Sequence, residues 1–164
     1  PDPKGPGTSG LGESEGQSPA TGSAPTGNLP PRIQKMVAWC NSVSGQYPYA
    51  WGGGHASIGF PSMGGLNGPA GKQVNGFDCS GAVSGALHAA GLLNHPLTSG
   101  ELAAGWGVPG TGKLVTVYAN PVHTFMRIGN AWFGTGHIGK GGGGPAWGNH
   151  DSTSQFVPKH WPGL

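Results

Sequence analysis

Acidic residues are scarce in this chain. Of 164 residues only 6 are Asp or Glu, and beyond Pro30 the acids are Asp78, Glu101 and Asp151. A glycosidase sets two carboxylates about the bond it breaks. With Asp78 beside a cysteine and Glu101 in an expected helix, no such pair is expected. Cysteine is rarer still: Cys40 and Cys79 allow one bridge at most, and no disulfide framework. Cys40 falls on the apolar face of an expected helix and reads as core. Apolar runs of membrane length are missing, as is a secretory signal pattern, so no membrane insertion is expected. The chain has 7 histidines, His55, His88, His95, His123, His137, His150 and His160, and none has His-Glu-x-x-His or His-x-His spacing. No metal is therefore expected. Gly110-Thr-Gly-Lys113 leads into a strand rather than a helix, so it is no phosphate cradle, and no cofactor is expected. Ser84, in Gly81-Ala-Val-Ser-Gly85, lies in mid-helix and off the Gly-x-Ser-x-Gly spacing.

Glycine and proline are plentiful, 35 and 16 residues. Residues 1–29 consist largely of Gly, Pro, Ser and Thr and cannot bury enough surface to offset chain entropy. They are expected to form a disordered linker, and a chain that starts in mid-linker is expected to be the C-terminal part of a longer one. Residues 30–164 suit one domain with one core, expected to be a monomer. Its bases, Arg32, Lys35, Lys72, Lys113, Arg127, Lys140 and Lys159, number seven against three acids, a net of +4. They are scattered, so no nucleic-acid partner is expected. A mildly basic surface suits an anionic partner such as a bacterial cell wall.

Apolar periodicity supplies the elements. Ile33, Met36, Val37, Cys40 and Val43 repeat at helical spacing after Pro31, predicting a helix over 31–44 ended by Gly45. Tyr47-Pro-Tyr-Ala-Trp-Gly-Gly-Gly-His55 is expected to be extended or turning, with exposed rings. A loop follows from His55 to Gly76. Ala82, Val83, Ala86, Leu87 and Ala90 predict a second helix, stopped by Gly91. Ser99 is expected to cap a short third. The period then becomes two: Leu114–Tyr118, Val122–Ile128 and Ala131–Thr135 predict strands, with a hairpin at Gly129-Asn130. Residues 136–149 are Gly-rich, and Gln155–Val157 is expected to add an edge strand. Helices followed by an antiparallel meander give an α+β class.

Cysteine chemistry remains. Cys79 falls at the start of the second helix, where unpaired N–H groups and the helix dipole favour a thiolate. His123 follows Asn120-Pro121 at an expected exposed sheet corner, where an imidazole can act as general base.

Pro48-Tyr-Ala-Trp-Gly-Gly53, Phe77-Asp-Cys-Ser-Gly-Ala-Val83 and His123-Thr-Phe-Met-Arg-Ile-Gly-Asn130 together resemble the NlpC/P60 cysteine peptidases over about residues 31–137. The resemblance implies a papain-like α+β fold with N-terminal helices on a small antiparallel sheet. It implies cleavage of the γ-D-glutamyl bond in peptidoglycan stem peptides, outside the cell, in the wall or periplasm. Cys79 would be the nucleophile and His123 the base. Tyr49 would lie against the thiolate, Asp78 and Ser80 would bind the substrate's amino end or backbone, and Trp51 would prop the Gly turn. The residue that orients the base lies about twelve positions beyond it in the family. That count falls on Thr135, and His137 lies two further along the same strand face; His137 is the expected partner. The loop from Trp51 to Asp78 is longer than usual, and His55 has no counterpart. The alternatives are an amidase or acyltransferase using the same pair, as in toxins or phage lysis, and a non-catalytic wall-binding module.

Overall fold

A computed structural model describes residues 22–136, 143–148 and 152–164. Among these the elements run α1 (Pro31–Val43), β1 (Ala50–Trp51), β2 (Ser62–Leu66), β3 (Gln73–Gly76), α2 (Cys79–Ala89), α3 (Ser99–Gly105), β4 (Val108–Pro109), β5 (Val115–Ala119), β6 (Thr124–Ile128), β7 (Ala131–Gly134), β8 (Ala146–Gly148) and β9 (Val157–His160). The class is α+β, as the period change predicts.

Proline at the first position fits α1, because its missing N–H has no intrahelical partner there. The helix buries Ile33, Met36, Cys40 and Val43 on one stripe. Helix α2 behaves differently. Every residue from Cys79 to Leu87 is buried, so the one-faced helix of the sequence pattern is instead a central helix, packed against α1 and against β6 and β7. Small residues permit this. A Cβ on Gly85 would stand 2.4 Å from the Trp39 ring of α1, and that ring is held edge-on by Phe77 at 5.7 Å and Phe133 at 6.3 Å. Gly85→Ala gains about 1 kcal/mol of helix propensity but overpacks a ring held by Phe77, Phe133 and an indole N–H bond to Gly59 O. A net loss of about 1–3 kcal/mol is expected, read as a lower urea midpoint.

The meander is present as β5-β6-β7, with Ala119 opposite Thr124 and Ile128 opposite Ala131. Gly129 turns the hairpin with φ 58°. The sheet is wider than the periodicity predicts, in the order β4-β9-β5-β6-β7-β8. The expected edge strand at 155–157 is shifted to β9 and lies inside the sheet, between β4 and β5. Within the Gly-rich stretch 136–149, Ala146–Gly148 forms β8 on β7. The cap of α3 is Thr98, not Ser99: its hydroxyl accepts from Glu101 N–H while Glu101 accepts from Thr98 N–H, a reciprocal capping box.

The expected loop His55–Gly76 is also corrected. It carries β2 and β3, which join β1 in a three-stranded antiparallel sheet. Glycine at position 64 is steric, since a Cβ there would meet the Trp51 carbonyl oxygen at 2.1 Å. The last residues of the expected linker rest on the domain. Ala24 and Leu29 pack on the core, and Thr26 N–H donates to Asn130 Oδ1 at 3.0 Å beside the β6–β7 hairpin. Residues 1–21 lie outside the described residues.

The large sheet has two apolar faces. Val115, Val117, Met126, Ile128 and Phe133 join the helices in the main core, whereas Phe125, Trp132 and Phe156 form a second cluster with Tyr118 packed against it. No helix among the described residues is long and apolar enough to cross a membrane.

Candidate active site

Asp78 builds the start of α2. Its backbone is extended (φ −91°, ψ −176°), and its Oδ1 accepts from Gly81 N–H at 2.7 Å, as an N-cap carboxylate does. Its Oδ2 accepts from Gly52 N–H at 3.2 Å, and its own N–H donates to Gly53 O at 2.9 Å. The turn after Trp51, with Gly52 and Gly54 at φ 85° and 87°, is thereby fastened to the helix end. A Cβ on Gly81 would stand 2.3 Å from Gly53 O, so this contact requires glycine. Cys79 is thus the first residue of α2, at the end where backbone dipoles favour negative charge.

His55, left unassigned by sequence, completes the cluster. Its Nε2 lies 2.8 Å from Asp78 Oδ1 and 3.0 Å from Ser80 Oγ. Ser80 Oγ also donates to Asp78 Oδ1 at 3.3 Å. Asp78 and Ser80 have no exposed surface, so a substrate amine would have to displace His55 to reach them. Twenty-three positions separate His55 from Asp78, and only the sheet insertion brings them together. The one signal in the sequence was a histidine directly after three glycines.

Burial pushes the Asp78 carboxyl up, but the His55 hydrogen bond and charge, with the Gly81 N–H, outweigh it and hold the carboxyl below its ordinary 3.8. A carboxyl that ionises more readily when folded adds stability above its unfolded pKa, and this is lost as pH falls through the folded value. Asp78→Asn keeps a capping side chain without that titration. Between pH 7 and about pH 3 its stability should therefore fall less steeply than that of the parent, as chemical denaturation at a series of pH values would measure.

His123 lies one residue before β6. The Pro121-Val122 turn that delivers it is held by Asn120, whose Oδ1 accepts from Val122 N–H at 2.9 Å and His123 N–H at 2.8 Å. The expected exposed corner is in fact covered: His123 is 1% exposed, with the Phe125 ring at 5.8 Å and the Phe156 ring at 6.0 Å. Cys79 has no exposed surface. The two therefore sit in the interior on elements that pack together, α2 and the β6 strand that His123 leads. Tyr49 is wholly buried, contrary to the expected exposed ring, because its backbone bridges Phe77; Trp51 is half-buried on β1. Thr135 is buried one residue past β7, and its Oγ1 has no hydrogen-bond partner among the described residues. His137 lies outside the described residues. A cleft of about 840 Å³, lined by Leu93, Trp106 and Trp161 among others, opens near His88. That is the far end of α2, roughly 14 Å along the axis from Cys79, and no sequence-predicted site residue lines it.

The arrangement of three helices and antiparallel sheets is one that solved structures share. The chain carries the NlpC/P60 fold. Among structures it resembles are the P60 domain of antigen MAP1272c from M. avium paratuberculosis, at TM-score 0.59 and 21% identity over 79% of this chain and 92% of that one. RipD from Mycobacterium tuberculosis, described as a non-catalytic NlpC/p60 domain protein adapted to peptidoglycan binding, superposes at TM-score 0.58 and 18% identity over 80% and 98%. The resuscitation promoting factor interacting protein RipA, mutated at a cysteine, gives TM-score 0.56 and 24% identity over 87% and 70%. The sequence matches no protein-family model. No curated protein matches it either.

Proposed function

We propose that residues 30–164 form a cysteine endopeptidase acting outside the cell on peptidoglycan stem peptides, at the bond from γ-D-glutamate to the diamino acid. The observation that carries this reading is Cys79 at the first residue of α2, on a helix packed against the strand that His123 leads. In the mechanism, His123 takes the thiol proton and the thiolate attacks the γ-carbonyl carbon. Helix-start N–H groups bind the oxyanion of the tetrahedral intermediate. The His123 imidazolium returns its proton to the leaving amine, giving a thioester, and His123 then activates water to hydrolyse it. Thr135 or His137 orients the imidazole, and Tyr49 lies against the thiolate. Asp78 and Ser80 hold the helix start, and Trp51 props the turn fastened to it.

Burial favours a second reading, a peptidoglycan-binding module without catalysis, because neither Cys79 nor His123 offers surface to a substrate. Incubation with L-Ala-γ-D-Glu-diaminopimelate and mass analysis separates the two. Release of L-Ala-D-Glu, abolished in Cys79→Ala, supports the peptidase. Binding of wall fragments with no bond cleaved supports the module. Cleavage of a muramoyl–L-Ala amide instead, or transfer of the acyl group to an added amine rather than to water, would assign the pair to an amidase or acyltransferase.

A further inference from the structure

We propose that His55 is a positioning residue for Cys79, its imidazole offsetting the Asp78 carboxylate so that the helix cap does not oppose ionisation of the adjoining thiol. The proposal rests on the reading of Cys79 as nucleophile. A carboxylate is a good N-cap but a poor neighbour for a thiolate, since a like charge close by disfavours the second ionisation. Asp78 directly precedes Cys79 and has no exposed surface, so water screens little of its charge. Gly52 N–H, Gly81 N–H, Ser80 Oγ and His55 Nε2 engage its two oxygens. Of these four, His55 alone can carry a full positive charge, and it stands at ion-pair distance, 2.8 Å.

The position of His55 is built rather than incidental. The ring follows the glycine turn, and Gly54 N–H is itself tied to Ser62 Oγ at 2.8 Å in the inserted sheet. Its side chain is 19% exposed, while the Asp78 side chain is wholly covered. Among the described residues, the other titratable groups on surrounding elements include Cys79 and His88 of α2, Cys40 of α1, Tyr49 and Tyr47 beside Phe77, His123 ahead of β6 and Arg127 on it, and Glu101 of α3 with His95 before it. Glu101 feels the charge of both His95 and His55, but it is solvent-exposed, so its effect on the buried pair is screened.

The test is titration of the Cys79 thiolate by its ultraviolet absorbance in the parent, His55→Gln, Asp78→Asn and the double variant. Glutamine retains a donor without a titratable charge. The parent thiol should titrate below the ordinary value of about 8.5, and His55→Gln should raise it by about one unit, a roughly tenfold smaller thiolate fraction near neutrality. Adding Asp78→Asn should return it to the parent value, because the charge to be offset is gone. A purely structural role would lower the melting temperature without this reciprocal pattern. An unchanged titration in His55→Gln, with the parent thiol still depressed, overturns the proposal alone. A parent thiol that titrates at or above the ordinary value overturns the nucleophile assignment and this proposal with it.

Discussion

Cys79→Ala is expected to lose stem-peptide hydrolysis by at least about a thousandfold in kcat while keeping its fold. Removing a nucleophile removes the covalent route altogether, and what remains is binding and oxyanion stabilisation, which in comparable triads leave a small residual rate. His123→Ala should lose nearly as much, and the double variant little more, because the two groups act as one unit. A steady-state assay on the purified stem peptide measures this, with circular dichroism as the control on folding. Alanine fits the buried site at Cys79 with the loss of one sulfur atom, so a fall in activity cannot be blamed on lost structure. The same substitution at Cys40, also buried but on α1, should alter stability and leave the rate constant alone.

The largest effect on stability is expected at Phe133→Ala. Phe133 has no exposed surface and lies edge-on to Trp39 at 6.3 Å and to Trp147 at 5.3 Å. It thereby joins the sheet to α1, on the face that α2 also covers. Trp39 and Trp147 are each fixed by their indole N–H, to Gly59 O at 3.2 Å and Asn41 Oδ1 at 2.8 Å, so neither can easily collapse into the space left. The cost should be about 3–5 kcal/mol, or a melting temperature lower by roughly 10–20 °C. Thermal unfolding checks it. Val122→Ala, at a 52% exposed turn position, should shift stability by less than about 0.5 kcal/mol.

What could be read from residues alone was whatever obeyed a period. The stripe of α1 and the β6–β7 hairpin around Gly129 were legible, because apolar residues there repeat at 3.6 or 2 and Gly and Asn mark the turn. Strands β2 and β8 were not, and β9 was expected two residues early and at an edge. Gly64 and Gly65, Gly148 and Pro158 all argue locally against a strand, and tertiary contacts decide otherwise: Gly64 clears the Trp51 carbonyl, and Pro158 sits opposite Tyr118 within the sheet. The same insertion hid His55. Its distance in sequence from Asp78 gives no spacing signal, and only the folding of β2 against β1 carries the glycine turn and its histidine onto the helix cap. Cys79 was legible because a helix start is a local property. The cover over His123 was not, since Phe156 reaches it from beyond β8.

On the proposed function, Cys79 is expected to react as a thiolate and Cys40 to be inert. Burial pushes the Cys40 thiol well above its ordinary value, so it serves as an internal control in the same molecule. Iodoacetamide labelling at neutral pH, with each site's rate followed by peptide mass spectrometry, distinguishes the two cysteines. Modification of Cys79 at least about a hundredfold faster than Cys40, and slowed in His123→Ala, is the predicted result. Equal rates at the two cysteines, or no reaction at Cys79 in a folded protein, would contradict it and remove the support for a cysteine peptidase.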